Sequence, residues 1–320
     1  MNIKFKMNIL VTGGCGYTGS ILVPFLLKKG HRVTVIDTMW FGNFLKKNNK
    51  LTVLKKDIRN LSNFSFAKFD TIVHLANIAN DLSVELSPVL SWEVNVLAGQ
   101  QIIQKAYNQG IKHFIYASSG SVYGIKKEKK VTENLDCYPL STYNKTKMVA
   151  ESIFLNHKNE MQVHCIRPAT VCGVSPRLRL DVSVNLLTYQ AVKKKEIKVL
   201  GGSQIRPNIH INDLINVYYH FIKNPSLDSG CYNAGFENLS IKNLAIKIKK
   251  QTKCKIKIIK NTNDPRSYRQ CSDKLLKTGF APEFGVDFAI IELIKKFRNK
   301  KFKESEQNFT VNWMKKLNLK

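Results

Sequence analysis

The stretch NILVTGGCGYTGSILVPFLLKKG, residues 8–30, decides the fold. It opens with an apolar strand pattern, passes through several glycines and ends in the amphipathic helix pattern SILVPFLLKKG. Gly13, Gly16 and Gly19 have the spacing GxxGxxG, a variant of the fingerprint of dinucleotide-binding proteins. The first glycine permits a tight turn, the second lets backbone N–H groups approach a pyrophosphate, and the third lets the helix pack closely on the strand. Such glycines alone would also fit an ordinary strand–helix turn.

The next predicted strand, RVTVI, ends in an acidic residue, Asp37. A carboxylate at this point can accept hydrogen bonds from the ribose diol of adenosine and would repel a 2′-phosphate. The sequence therefore predicts NAD rather than NADP as the cofactor. The alternative role, a helix or turn cap, fits less well with a position at the end of a strand.

Further strand and helix patterns follow along the first half of the chain, in LTVLKKD, DTIVHLAN, a helix through residues 89–110, and KHFIYASSGSVYG. Strands that alternate with helices predict an α/β fold with a doubly wound parallel sheet of the Rossmann type. Ligands bind such sheets at the carboxyl ends of the strands. Four candidate residues fall at or just beyond these ends: Asp37, Asp57, Ala76 and Ser119.

The composition is that of a globular protein, with 320 residues, a mass of 36.5 kDa and a mean hydropathy of −0.21. This length can form one large α/β domain or two smaller ones. No run approaches the roughly 20 apolar residues of a membrane span, and the N-terminus lacks the pattern of a signal peptide. The seven cysteines are scattered without metal-ligand spacing. We therefore expect a cytoplasmic protein with reduced thiols, no metal and no membrane partner.

The formal net charge of +28 raises the alternative of a nucleic-acid-binding protein. The lysines, however, are spread along nearly the whole chain. The one concentrated stretch, KKFRNKKFKE at residues 295–304, is most simply the solvated face of a terminal helix. We therefore expect no nucleic-acid partner, although the basic charge would help to attract an anionic substrate.

A tyrosine and a lysine stand four positions apart at the start of a predicted helix, in CYPLSTYNKTKMVAE at residues 137–151. Tyr143 and Lys147 would lie on one helical face, with Ser141 or Thr142 as the cap. A nearby ammonium stabilises a phenolate, so the pair can exchange a proton with an alcohol near neutral pH. Ser119, at the same sheet edge, could hydrogen-bond the reacting hydroxyl. A surface YxxxK pattern that arises by chance is the alternative.

These residues carry a family resemblance. TGGCGYTG, DTIVHLAN, ASSGSVYG, YNKTK and RPATVCG resemble the extended short-chain dehydrogenase/reductases, and among them the NAD-dependent nucleotide-sugar epimerase/dehydratase group, from about residue 8 to about residue 298. The resemblance implies that Ser119, Tyr143 and Lys147 are catalytic. It implies these cofactor-binding residues: Gly13, Gly16, Tyr17, Thr18, Gly19, Asp37, Asp57, Ile58, Leu75, Ala76, Asn95, Tyr143, Lys147 and Pro168.

By the same resemblance, the second half of the chain supplies most of a nucleotide-sugar site. The implied substrate-binding residues are Ser119, Ser121, Thr170, Asn185, Leu186, Arg206, Asp264 and Arg266. Arg206 would hold the diphosphate, and Asp264, Arg266 and Tyr268 would form a clamp near the C-terminus. Arg177 and Arg179 are further candidates for anion contacts. The implied domains are residues 1–168 with about 205–235 for NAD, and about 169–204 with 236–320 for the nucleotide sugar.

Two departures from the family pattern narrow the predicted chemistry. The family's 4,6-dehydratases have Asp and Glu after the catalytic Ser or Thr, whereas this chain has Gly120 and Ser121. Loss of water by acid catalysis therefore lacks its acid. Thr170 stands where many 4-epimerases have Asn, so the segment resembles enzymes of bacterial capsule and lipopolysaccharide sugars, including some that act on heptose nucleotides.

The sequence thus predicts a nucleotide-sugar epimerase that acts through a 4-keto intermediate and supplies a surface polysaccharide pathway. One alternative is a 4-dehydrogenase or 4-ketoreductase with net redox, for example on a heptose nucleotide. A second alternative, from another functional class, is a non-catalytic NAD(H) sensor. The resemblance also implies a homodimer that pairs the helices at residues 92–108 and 142–158.

Overall fold

A computed structural model describes residues 6–259 and 267–318. In this part of the chain the strands are β1 (Asn8–Thr12), β2 (Arg32–Asp37), β3 (Leu51–Lys55), β4 (Thr71–His74), β5 (His113–Ala117), β6 (Gln162–Pro168), β7 (Thr170–Cys172), β8 (Glu196–Leu200), β9 (Ile205–His210), β10 (Gly230–Ala234), β11 (Glu237–Ser240) and β12 (Lys255–Ile259).

The helices of the same residues are α1 (Gly19–Lys28), α2 (Asp81–Val84), α3 (Pro88–Trp92), α4 (Ala98–Asn108), α5 (Thr142–Leu155), α6 (Ser183–Lys193), α7 (Ile211–Lys223), α8 (Ile241–Thr252), α9 (Asp273–Leu276), α10 (Val286–Arg298) and α11 (Thr310–Leu317). A π-helical turn, Glu93–Leu97, joins α3 to α4. Short 3-10 turns occupy Gly120–Tyr123 and Glu306–Asn308.

Seven parallel strands form the main sheet of the described residues, in the order β10-β6-β5-β4-β1-β2-β3. Strand order reverses beside β1, so the carboxyl ends of β1 and β4 border a crevice of the kind in which such sheets bind ligands. The predicted α/β doubly wound fold is confirmed.

Alternating side chains of β1 explain how the sheet is covered on both faces. Ile9 and Val11 belong to the apolar cluster that includes residues of α1 and α7, whereas Leu10 belongs to the cluster that includes residues of α4 and α5. All three side chains are fully buried. Because both faces of a parallel sheet are covered by helices, its strands are apolar throughout, as NILVT is.

A smaller unit lies on the carboxyl side of the sheet. A three-stranded sheet in the order β11-β9-β7 and the parallel pair of β8 with β12 belong to it. Its core contains apolar residues of α6, α8 and α10. The chain returns to the main sheet at β10, which pairs with β6. The exact division into two domains stays a prediction.

None of the helices in the described residues is long and apolar enough to cross a bilayer.

Candidate active site

The loop between β1 and α1 is built around glycines that larger residues cannot replace. Gly13 has a φ of +71°, and a Cβ there would lie 2.6 Å from the backbone nitrogen of Ala76. A Cβ on Gly19 would lie 2.5 Å from the Cα of Gly14. Gly13 therefore packs tightly against Ala76, and the start of α1 at Gly19 packs tightly against Gly14. A Cβ on Gly16 would meet the carbonyl oxygen of Gly13 at 3.3 Å and, apart from its chain neighbours, no other atom of the described residues within 4 Å, so this part of the loop can be approached closely.

The carboxylate of Asp37 is fixed against the glycine-rich loop. One oxygen accepts a hydrogen bond from the backbone N–H of Cys15 at 2.9 Å, and the other accepts from Met39 N–H at 2.6 Å. Burial raises the pKa of Asp37, although these two hydrogen bonds act to lower it. The side chain thus stands beside the loop, where the predicted contact with a ribose diol requires it. Sequence reasoning missed its hydrogen bond to the loop.

Asp57 and Ile58 follow β3, the next strand along the same edge. Asp57 pairs with Arg59 at 2.8 Å, and Arg59 also reaches Glu93 at 2.7 Å. Burial raises the pKa of Asp57, but the hydrogen bonds and charge of Arg59 outweigh burial and hold it below its usual range. Ile58 is buried. Their predicted adenine contacts stay predictions.

Helix α5 presents Tyr143 and Lys147 toward the end of β5. Ser141 is the N-cap and accepts from Asn144 N–H at 3.2 Å, in agreement with one of the two predicted caps. Lys147 is buried, and its Nζ donates to the carbonyl oxygen of Ala117 at 2.5 Å. Nζ also lies 5.7 Å from the centre of the Tyr143 ring. The YxxxK pattern therefore faces a strand end and is not a surface pattern.

Four influences set the pKa of Tyr143, which is raised to about 12. Burial is the largest and raises it, and the negative charge of Asp81 raises it further. A hydrogen bond with Ser119 and the positive charge of Arg179 act to lower it. The sequence argument assigned this lowering to Lys147. In the structure Arg179, 36 positions along the chain, is the cation that acts in this way.

The hydroxyl of Ser119 begins a short chain of polar groups. Its Oγ lies 2.7 Å from Ser121 Oγ, which in turn donates to Asn144 Oδ1 at 2.6 Å. Asn144 is fully buried and follows Tyr143 directly. Such a chain fixes the orientation of the serine hydroxyl beside the phenol. Sequence reasoning named both serines but missed the asparagine, which looked like an ordinary helix residue.

Asn95 connects the loop after β4 to α5. Its side chain accepts from Ile78 N–H at 2.8 Å and donates to Ile78 O and to Thr146 Oγ1, both at 3.1 Å. It lies in the π-helical turn Glu93–Leu97, a geometry often found at functional sites. Asn95 thus ties the loop after β4 to α5, and its predicted contact with a cofactor stays a prediction.

Tyr17 and Asn185 meet between the two units. Tyr17 Oη donates to Gly173 O at 2.7 Å, and the Asn185 amide donates to Tyr17 Oη at 3.1 Å. Asn185 also donates to Arg179 O at 2.9 Å and accepts from Gly173 N–H at 3.0 Å. Both side chains are buried. They tie the glycine-rich loop to β7 and α6, and a direct substrate contact by Asn185 stays a prediction.

The remaining predicted residues lie at these places: Thr18 at the N-terminus of α1, Leu75 and Ala76 after β4, Pro168 at the end of β6, Thr170 in β7, Leu186 in α6 and Arg206 in β9. Asp264 and Arg266 lie outside the described residues.

Tyr268 is buried, with its ring centre 6.3 Å from that of Tyr123. Gly120 lies beside Tyr268, since a Cβ on this glycine would be 3.1 Å from the tyrosine hydroxyl.

Two arginines predicted as anion contacts lie in the segment before α6. Arg179 forms an ion pair with Asp181 at 2.9 Å. Arg177 is buried with its guanidinium 3.9 Å from the centre of the Phe41 ring, and it donates to Thr310 Oγ1 at 3.0 Å. Burial and the charge of Arg179 lower the pKa of Arg177 to about 9. The charge of Arg179 acts on Tyr143, and anion binding by either arginine stays a prediction.

Residues 9–235, well over half of the chain, match the NAD dependent epimerase/dehydratase family. The chain belongs to this family. A UDP-glucose 4-epimerase of Halalkalibacterium halodurans is 29% identical in an alignment of 254 residues that covers 72% of this chain and 75% of that protein.

Two solved structures resemble this family member along nearly its whole length. The UDP-glucose 4-epimerase of Thermus thermophilus, in complex with NAD, has a TM-score of 0.80 at 21% sequence identity. The superposition covers 92% of this chain and 100% of the epimerase chain. The UDP-glucuronic acid 4-epimerase from Bacillus cereus, in complex with UDP-glucuronic acid and NAD, has a TM-score of 0.78 at 25% identity and covers 91% of this chain and 99% of its own.

As a member of this family, the chain is an NAD-dependent enzyme. The residues present fit the dinucleotide on their own chemistry. The loop at Gly16 can be approached closely, the adjacent α1 presents its N-terminus, and Asp37 stands at the end of β2 with both oxygens beside that loop. No group of three His, Cys, Asp or Glu side chains within residues 6–259 and 267–318 is arranged to hold a metal ion.

Proposed function

We propose that this enzyme is a nucleotide-sugar epimerase that inverts C4 through a 4-keto intermediate. The observation that carries the proposal is the placement of Tyr143, Ser119 and Lys147 around the end of β5, at the same edge of the sheet as the glycine-rich loop. A proton acceptor, a hydroxyl that orients its substrate and a cation thus stand beside the predicted cofactor site. Removal of hydrogen from an alcohol needs this set.

The proton of the sugar hydroxyl is the part of the reaction that the chain itself handles. Tyr143, as phenolate, takes the proton from the C4 hydroxyl, and Ser119 holds that oxygen in line with the phenol. A bound NAD would supply the acceptor for the C4 hydride and the donor for its return. Lys147 would hold the ribose of the cofactor and stands beside the phenol, with its Nζ 5.7 Å from the centre of the Tyr143 ring. For inversion, the keto sugar turns within the site before Tyr143 returns the proton.

The residues after Ser119 favour epimerisation over loss of water. An acid for dehydration would have to stand at 120 or 121, and these positions hold a glycine and a serine. The Ser121 hydroxyl donates to Asn144 Oδ1 and lies beside Ser119 Oγ. A hydroxyl with a pKa far above neutrality cannot serve as the proton donor for water loss, but it can hold a sugar hydroxyl in place.

A nucleotide-diphosphate sugar is the proposed substrate. The relatives that support this are named for UDP-glucose, UDP-arabinose and UDP-glucuronic acid. Arg206, in β9 of the smaller unit, would hold the diphosphate, since an arginine binds phosphate oxygens with two parallel hydrogen bonds. A panel of UDP-sugars identifies which sugar is bound. A place in the synthesis of surface polysaccharide is a further part of the proposal.

A homodimer is the proposed assembly. The rod formed by α3, the π-helical turn and α4 exposes large apolar side chains, with Val89 71%, Leu97 52% and Tyr107 43% exposed. Together with the outer face of α5, this surface matches the pairing of helices implied by the family resemblance. Light scattering on Leu97→Glu tests it, because a charge at the centre of an apolar contact separates a dimer into monomers.

Mass spectrometry of bound ligands, followed by a panel of UDP-sugars, tests the proposed function. We expect the enzyme to interconvert two UDP-sugars that differ only at C4, starting from either one. The absorbance of the nicotinamide should show no lasting change. Stoichiometric reduction of added NAD with release of a keto sugar would instead establish the alternative of a dehydrogenase. Tight NAD binding without turnover of any nucleotide sugar would favour the NAD(H) sensor.

A further inference from the structure

A third polar side chain of α5 lies on the same face as the proposed catalytic pair. Glu151 follows Lys147 by four positions, as Lys147 follows Tyr143, so the three side chains point the same way. Only 3% of Glu151 is exposed. A buried carboxylate is costly unless charged partners and hydrogen bonds satisfy it, so its contacts decide what it does.

The carboxylate of Glu151 has three donors. Arg167, from β6, donates from Nε at 2.9 Å and from Nη2 at 2.7 Å, which is a two-pronged ion pair between buried groups. Ser118 donates from Oγ at 2.5 Å. Arg167 is itself anchored, since its Nη1 donates to Tyr123 Oη at 2.7 Å. The Glu151 carboxylate is therefore held rigidly, and Ser118 is bonded to a fixed point.

Three consecutive residues at the end of β5 are each joined to α5. Ala117 accepts the hydrogen bond from Lys147 Nζ, and Ser118 donates to Glu151. The next residue, Ser119, forms the hydrogen bond that lowers the pKa of Tyr143. In the proposed function, the hydrogen bond of Ser118 to Glu151 involves neither cofactor nor substrate. It holds residues 117–119 against α5.

We propose that Glu151 is a positioning residue that holds the end of β5 against α5, and so sets the distance between the catalytic serine and the catalytic tyrosine. It also keeps its neighbour Lys147 in the charged form. This inference rests on the proposed function, because it concerns the same site. Glu151 itself touches neither the reacting atoms nor the ribose.

The charge effect of Glu151 can be seen in the surroundings of Lys147. Burial lowers the pKa of Lys147 to about 7, and the Glu151 carboxylate is the largest influence that raises it. The ionisable groups that face Lys147 are Tyr143 and Glu151 on α5, Tyr116 on β5, Cys165 on β6 and His74 on β4. Without the carboxylate, a smaller fraction of Lys147 carries a charge at neutral pH.

Titration of Lys147 tests this charge effect without any substrate. The protein is labelled with carbon-13 at the ε position of lysine, and the resonance of Lys147 is assigned by its loss in Lys147→Met. We expect a midpoint near 7 in the wild type and a midpoint lower by about one pH unit or more in Glu151→Gln. The charge-conserving control Glu151→Asp should stay near the wild-type midpoint. An unchanged midpoint in Glu151→Gln overturns the charge effect.

Glu151→Gln leaves Arg167 buried without its counter-ion, a change that is strongly destabilising and able to prevent folding. In that case the double variant Glu151→Gln/Arg167→Gln removes both charges together and is titrated instead. The expected direction is the same, because Lys147 still loses its carboxylate neighbour. A midpoint at or above the wild-type value in this variant contradicts the proposal.

Ser118→Ala tests the positioning role with no change of charge. We expect turnover to fall about 10–100-fold with little change in KM, because a small displacement of a catalytic group is enough for this loss. Affinity for NAD and the Lys147 midpoint should stay as in the wild type, and Ser62→Ala, on an exposed loop, should keep wild-type turnover. Wild-type turnover in Ser118→Ala overturns the proposal.

Absence of turnover in the wild type itself would count against the proposed function, whereas the lysine titration still decides the role of Glu151.

Discussion

The side-chain amide of Asn185 donates to the hydroxyl of Tyr17 across 3.1 Å, although the two residues are 168 positions apart. Tyr17 belongs to the glycine-rich loop, and its hydroxyl in turn donates to the carbonyl oxygen of Gly173. Asn185 belongs to α6 of the smaller unit. One buried tyrosine hydroxyl thus joins the loop predicted to bind the cofactor to the unit predicted to bind the sugar.

Tyr17→Phe should loosen this joint while keeping the ring in place. The change removes the shorter of two hydrogen bonds to Gly173 O, which keeps the Asn185 amide at 3.2 Å, and it removes one acceptor of that amide. We expect the free energy of unfolding, measured with urea, to fall by about 1–3 kcal/mol. Tyr138→Phe is the matched control, since Tyr138 is 59% exposed and should unfold like the wild type. Equal stability of the two variants would show that the joint contributes nothing to the fold.

Three buried histidines should make the fold sensitive to mild acid. Burial is the largest cause that lowers the pKa of His74 and His113 to about 3 and that of His164 to about 4, from an ordinary value of 6.5. The unfolded chain therefore takes up protons below pH 6.5 that the folded chain does not. Their contribution to stability is present above pH 6.5 and is lost as the pH falls toward 4.

We expect the free energy of unfolding to be roughly 4 kcal/mol lower at pH 5.5 than at pH 7.5, about 1.4 kcal/mol for each of the three histidines. His164→Gln should unfold with a smaller difference between these two pH values, whatever its stability at pH 7.5. His157→Gln, at the end of α5, is the control and should keep the wild-type difference. A wild-type difference in His164→Gln would mean that its charge is tolerated inside the fold.

The cofactor preference should depend on Asp37. A 2′-phosphate would meet a half-buried carboxylate whose two oxygens are already fixed beside the loop, so NAD should bind far more tightly than NADP. Lys46, Lys47 and Asn43 line a surface cavity beside β3. The side chain of Asn43 accepts a hydrogen bond from Cys15 Sγ of the glycine-rich loop. Asp37→Asn should narrow the preference for NAD, because a 2′-phosphate then meets an uncharged side chain. Titration of both cofactors decides it, and equal affinities in the wild type would contradict this role of Asp37.

The sequence predicted those parts of the fold and site that local spacing encodes. The glycines of the first loop, Asp37 at the end of β2 and the Tyr143–Lys147 pair each belong to one short segment whose pattern implies its geometry. The contact of Tyr17 with Asn185 has no local signature, because it forms only when β7 and α6 fold back onto the loop. The burial of Glu151 likewise has no local signature, because its ion pair with Arg167 forms only when β6 packs against α5.

The central claim is that Tyr143 carries the proton of the reaction. Tyr143→Phe keeps the ring and its packing, so the fold and the affinity for NAD should persist. The wild type should lose activity as the pH falls, since burial raises the pKa of Tyr143 and the phenol must be deprotonated to act as the base. The same pH profile on Arg179→Gln should move the inflection upward, because the cation that lowers the pKa of Tyr143 has been removed.

The most direct measurement is the turnover of Tyr143→Phe with the nucleotide sugar that the wild type accepts, at the pH where the wild type is fastest. Loss of a general base typically costs about 10²–10⁴-fold in rate. We expect a fall in kcat of this size with substrate affinity nearly unchanged. Turnover close to the wild-type rate would contradict it and would place the proton transfer on another residue.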